Sequence, residues 1–149
     1  MKITVENLRF TYPGNVEAIR GITTEINPGE QVAMVGQTGA GKTTLVRHFN
    51  GLLKPTEGSV MVGDWDTRQY SVAKLASRVG YVFQNPDEQL FCKTVHDEVG
   101  FGPRNLGYPA EKVEALIESA LALTELADKK EINPYELSPT WRKMVAIAS

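Results

Sequence analysis

The stretch Gly36-Gln37-Thr38-Gly39-Ala40-Gly41-Lys42-Thr43 decides how this chain is read. It satisfies the pattern G-x-x-x-x-G-K-[ST], with Gly39 as an additional glycine. Glycines let successive backbone N–H groups turn inward and carry no side chain that would block phosphate oxygens. A helix opening near Lys42 points its positive end at the same place. Lys42 supplies a mobile ammonium for β and γ phosphates, and the Thr43 hydroxyl suits Mg²⁺. Thr44 closes the nucleotide-binding stretch, so the candidate set is Gly36, Gln37, Thr38, Gly39, Ala40, Gly41, Lys42, Thr43 and Thr44.

The flanks agree with this reading. Gln31-Val32-Ala33-Met34-Val35 is a short apolar run, as expected of a strand buried on both faces, and it leads directly into the loop. A helical stretch follows from Lys42 through Phe49, with Gly51 placed as a C-terminal cap and Pro55 beyond it. Upstream, Ile3, Val5, Leu8 and Phe10 predict a first strand closed by the turn Tyr12-Pro13-Gly14-Asn15, and Ala18 to Ile26 a second, ended by Asn27-Pro28-Gly29-Glu30. Gly58 to Gly63 predicts another strand, and Val79 to Phe83 a further apolar one. From about Pro86 the character changes. Val113, Leu116, Ile117, Ala120 and Leu121 recur at helical spacing within Ala110 to Ala127, and a second helix is expected from Ser138. The expected division is residues 1–86 as an α/β nucleotide-binding core and residues 87–149 as a helical subdomain.

Composition narrows the classes. With 42% hydrophobic and 23% charged residues, the 149-residue chain belongs among ordinary globular proteins. A net charge of −2 leaves no basic excess for a dedicated nucleic-acid binder. The lone Cys92 excludes an intrachain disulfide framework and fits a reducing cytoplasm, with the thiol as a small packing residue. His48 and His96 lack ligand spacing. No apolar h-region opens the chain and no run of about 18 apolar residues occurs, so any membrane role is expected to run through a partner.

A P-loop alone leaves kinases, GTPases and many ATPases open. The remaining motifs choose among them. Leu8 to Gly14, the turn Gly51-Leu52-Leu53-Lys54-Pro55-Thr56-Glu57-Gly58 and Val82-Phe83-Gln84-Asn85-Pro86-Asp87 resemble an ABC-type ATP-binding subunit. The strings Phe83 to Phe91 and Thr94 to Pro103 are similar to the ATPase subunits of energy-coupling factor transporters, which import cobalt, nickel or vitamins. The resemblance runs in register over essentially the whole chain. It implies an α/β P-loop NTPase with an antiparallel β subdomain and a helical subdomain, ATP and Mg²⁺ as ligands, and ATP hydrolysis as the family's activity. It further implies a transmembrane partner, a second ATP-binding subunit, and a place at the cytoplasmic face of the cell membrane. Residue by residue, Tyr12 matches the aromatic that stacks on adenine. Gln84 matches the glutamine that approaches Mg²⁺ and the attacking water. Gln89 to Phe91 matches the surface met by the coupling helices, with core packing as the rival role for Phe91.

Two departures temper the match. The family signature Leu-Ser-Gly-Gly-Gln is here Leu137-Ser138-Pro139-Thr140-Trp141, after which Arg142 to Ala148 return to the pattern. Ser138 is expected to cap a surviving helix with Pro139 in its first position. Pro139 donates no N–H, and Thr140 and Trp141 add bulk where glycines would admit a phosphate, so this half-site is expected to be weak or silent. The family's Walker B strand, its glutamate and the switch histidine would follow Ser149. The expectation is therefore a truncated or split subunit with an incomplete core sheet, its Val32–Val35 strand bare of neighbours. No catalytic residue is assigned, because Asp64, Asp66 and Glu98 do not fall where the water-orienting carboxylate would. The rival readings are a module that binds nucleotide without hydrolysing it, a non-functional remnant, and a different P-loop enzyme such as a small-molecule kinase.

Overall fold

The computed structural model describes residues Met1–Ser149. The chain forms two compact units, Met1–Tyr81 and Val82–Ser149.

The first unit is built on a four-stranded antiparallel sheet in the order β2-β1-β3-β4, from β1 (Ile3–Tyr12), β2 (Val16–Ile26), β3 (Glu57–Val62) and β4 (Trp65–Asp66). Along β1 the inward residues are Val5, Leu8 and Phe10, a spacing that a regular strand of period two would not bury on one face. A bulge resolves it. The register with β2 shifts between Val5 and Leu8, and Asn7 takes a positive φ of 45°, so Leu8 returns to the core side. Gly58 of β3 packs against the carbonyls of Glu6 and Asn7, where a Cβ would collide with both. The inner sheet face closes on α1 (Lys42–Phe49), where Leu45 and Phe49 join Val5, Leu8, Phe10, Ile19 and Val60 in one core. Gly51, with φ +73°, terminates α1 as expected. A short helix α2 (Val72–Leu75) completes this unit.

Two predicted strands are absent. Gln31–Val35 belongs to no sheet, and its side chains are exposed, Val35 to 93%. Val79–Phe83 likewise joins no sheet. Apolar runs of this kind become strands only by pairing. The strands of this sheet pair among themselves and leave these two runs without a ladder.

The second unit is helical: α3 (Val95–Asn105), α4 (Ala110–Leu123) and α5 (Pro139–Ala148). Thr94 caps α3 by accepting the Asp97 N–H at 3.1 Å. Val113, Ile117 and Leu121, four residues apart, bury one face of α4 against Val95, Val99, Val145 and Ala146, each stabilising by about 1.5–3 kcal/mol. Leu116, expected on that stripe, is 39% exposed, since it lies off the four-residue row. The buried carboxylate of Glu98 accepts from the N–H groups of Phe91 and Cys92 at 2.8 and 2.7 Å, which is a structural use. No helix is long and apolar enough to cross a membrane.

Candidate functional site

The phosphate loop lies in the first unit. Its two ends are held together by Lys42, whose Nζ donates to the carbonyls of Gly36 and Gln37 at 2.7 Å each. Gly39 and Gly41 both have positive φ, +83° and +85°. At Gly41 a second constraint applies. A Cβ there would sit 2.7 Å from the carbonyl oxygen of Ala18 in β2, so glycine is what allows α1 to start this close to the sheet.

Gly41 occupies the N-cap of α1 with no side-chain hydrogen bond, and no acidic residue lies in the first turn. The first N–H groups of the helix and its positive end are therefore left to the environment of the loop. Residues Gln31 to Ala40 are exposed throughout. Exposed, glycine-turned backbone, an uncapped helix start and an ammonium at the same point fit a polyphosphate.

The two threonines after Lys42 have different surroundings. Thr43 is exposed, which leaves its hydroxyl open to a metal. Thr44 is buried, and its Oγ1 lies 3.1 Å from the Tyr12 hydroxyl. Tyr12 is half-buried and packs edge-on against Phe10 at 4.8 Å between centroids. Sequence reasoning placed Tyr12 near the nucleotide, but its bond to Thr44 could not be foreseen. The bond joins residues 32 apart in the chain, and only the β1–α1 packing brings them together. Beneath them His48 is fully buried, with Nδ1 2.7 Å from the Thr44 carbonyl. Desolvation holds its pKa below the ordinary imidazole value. Asp64 pairs with Arg78 and Asp66 with Arg68. These arginines lower both carboxyl pKa values, which marks both aspartates as ion-pair partners.

The second unit carries Gln84 and Ser138. Gln84 is exposed and lies just before a 3₁₀ turn at Pro86–Glu88. Ser138 stands at the N-cap of α5 with Pro139 in the first helical position, but its side chain makes no cap bond. Its carbonyl accepts the Arg142 N–H at 2.9 Å instead. Trp141 corrects another expectation. Its ring packs on the core of this unit with Lys129 Nζ 4.3 Å from its centroid, because a bulky apolar ring gains more from burial than from exposure at the helix tip. Only Pro139 and Thr140, both exposed, alter the start of α5. Gln89, expected at an outer docking surface, bonds inward to Ala146 and Ser149. Phe91 is 60% exposed and edge-stacked on Phe101, so core packing is not its role.

A P-loop that opens a helix against a sheet defines a nucleotide-binding protein of the α/β class. Its family follows from comparison: the sequence profile described as ABC transporter matches residues 19–149, and the chain belongs to that family. An ABC transporter ATP-binding protein of Geobacter sulfurreducens is 46% identical over 147 residues, covering 99% of this chain and 59% of the relative. The energy-coupling factor transporter ATP-binding protein EcfA of Methanothermobacter thermautotrophicus is 42% identical, covering 98% of this chain and 48% of the relative. Among solved structures, cbiO1 of Clostridium perfringens, part of the transporter complex cbiONQ, superposes with a TM-score of 0.85 at 36% identity, over 98% of this chain and 59% of its own. A dimeric ATP-binding cassette in a post-hydrolysis state with ADP and Pi gives 0.84 at 26% identity, over 98% and 67%. The chain thus spans about half the length of these curated relatives.

Proposed function

We propose that this chain is the ATP-binding portion of the energy-coupling subunit of an importer, gripping Mg·ATP through Gly36 to Thr44. The observation that carries the reading is the loop itself, where Lys42 and an uncapped α1 converge on exposed backbone. In this reading Lys42 faces the β and γ phosphates, the N–H groups of Gly39 to Thr44 surround them, and Thr43 and Gln84 hold the Mg²⁺. Tyr12 supplies the surface for the adenine. Mg²⁺ offsets phosphate charge when bound; the chain's own residues bind and orient. The proposed partners are a transmembrane transporter subunit and a second ATP-binding subunit, at the cytoplasmic face of the membrane. Names of relatives support this assignment: one is an energy-coupling factor ATP-binding protein and another belongs to a transporter complex.

A second reading, nucleotide binding with little turnover, is favoured by one feature. The start of α5 carries a proline without an N–H and a β-branched threonine, not two glycines. Calorimetric titration with Mg·ATP tests the common core of both readings. Lys42→Ala removes charge-assisted hydrogen bonds worth about 1.5–3 kcal/mol, so affinity falls by roughly ten- to a hundredfold. An unchanged affinity in a folded Lys42→Ala chain refutes it.

A further inference from the structure

Phe83 and Gln84 lie in a segment that joins no sheet, so the strand ladder does not hold their backbone. Side chains facing α5 hold it instead. The Phe83 N–H donates to Gln89 Oε1 at 3.1 Å. The same amide passes the tie onward, since Gln89 Nε2 donates to the Ala146 carbonyl at 2.8 Å and to Ser149 Oγ at 2.9 Å. The carbonyls that follow are held as well: Lys143 Nζ donates to those of Phe83 at 2.6 Å and Gln84 at 3.3 Å. Lys143 and Ala146 are three residues apart on α5, hence on one face of it. One residue beyond Gln84, Asn85 caps the Pro86–Glu88 turn by accepting the Asp87 N–H at 3.2 Å, and Asp87 pairs with Arg142 of α5 at 2.8 Å. The backbone on both sides of Gln84 is thus tied to α5, while the Gln84 side chain is left exposed.

We infer that Lys143 and Gln89 are positioning residues for Gln84, fastening it to α5 so that the two are displaced together. This rests on the proposed role of Gln84 at Mg²⁺ and adds the residues that aim it. Both act through Gln84 and touch no nucleotide themselves.

A double-mutant cycle tests it. ATP affinity is measured with and without Mg²⁺ for Gln84→Ala, Lys143→Met, Gln89→Leu and each of the latter two combined with Gln84→Ala. Affinity without Mg²⁺ is expected to be unchanged, since the phosphate loop is intact. The Mg²⁺-dependent gain is expected to drop about two- to tenfold in each single variant, the range for one lost hydrogen bond. On the Gln84→Ala background, Lys143→Met and Gln89→Leu are expected to add nothing; with Gln84 present, the conservative Lys143→Arg is expected to keep the gain that Lys143→Met loses. Amide exchange at Phe83, read in the same chains without nucleotide, is expected to quicken in Gln89→Leu and serves as the structural readout should a variant be unstable. The inference is overturned if Gln84→Ala lowers the gain while Lys143→Met and Gln89→Leu do not, or if their effects persist undiminished in its absence. A Gln84→Ala chain with the full Mg²⁺-dependent gain refutes the reading of Gln84 itself; exchange at Phe83 then still reports the clamp separately.

Discussion

Alanine substitution at the three glycines of the phosphate loop separates conformational from steric demand. Gly36 has no positive φ, and an added Cβ meets the Ala40 Cβ at 3.5 Å and the Lys42 Cδ at 4.0 Å, both ordinary contacts. Gly39 has φ +83° with open space around it, so alanine there costs about 1–2 kcal/mol for the left-handed conformation. Reduced freedom of the unfolded chain offsets roughly 0.4–1 kcal/mol of that. Gly41 has the same φ but faces the Ala18 carbonyl at 2.7 Å. That neighbour is backbone of β2 and cannot rotate away, so α1 and the sheet must separate. Overpacking of this kind costs about 1–3 kcal/mol more. The expected order of stability is Gly36→Ala above Gly39→Ala above Gly41→Ala, the last two differing by about 1–3 kcal/mol. Urea titration followed by Trp65 fluorescence, in a Trp141→Phe background so that only the first unit is reported, reads this difference. With a urea slope of about 2 kcal/mol/M, the gap is roughly 0.5–1.5 M in midpoint. Midpoints of Gly39→Ala and Gly41→Ala within about 0.2 M of each other would show that the approach of α1 to β2 does not constrain the loop.

Acid should weaken the same unit through His48. Its folded-state pKa is depressed by burial, so the unfolded chain takes up the proton first. The stability that neutral His48 contributes is whole above about pH 6.5 and is lost as pH falls through that value toward the depressed one; His48→Phe should flatten the difference in stability between pH 7 and pH 5, and an equal slope in both proteins counts against it. Replacing Pro139 and Thr140 together by glycine should return backbone access at the start of α5. In an assembly with the proposed second ATP-binding subunit and transmembrane subunit, ATP turnover is expected to rise, and no change would remove the departure at Pro139 and Thr140 as a constraint on turnover.

The elements whose signal is local were legible in the sequence. The glycine pattern with Lys42 and Thr43 announced the loop, because backbone conformations open mainly to glycine leave a compositional mark. The cap at Gly51 and the α4 stripe are legible for the same reason: each depends on neighbours within a few residues. Val32–Val35 and Val79–Phe83 were misread as strands because a strand requires a partner, and the partner is not written in the run itself. The α5 helix was foreseen, whereas the fate of Trp141 was not. Its place depended on the core of the second unit, including Ile117 and Val145, distant in sequence from each other.

The sequence by itself determined that this chain presents a phosphate loop and belongs with ABC-type ATP-binding proteins, since both rest on residue identities at fixed spacing. Only the tertiary structure decided which threonine faces outward, that Gly41 is demanded by Ala18 as well as by its φ, and that Lys143 and Gln89 hold the backbone at Gln84. Two of those facts join residues 23 and 60 positions apart (Gly41 with Ala18, Lys143 with Phe83), and Gln89, only six residues from Phe83, is itself tied to Ala146, 57 positions away. Such contacts exist only once folding has brought their donors and acceptors within about 3 Å.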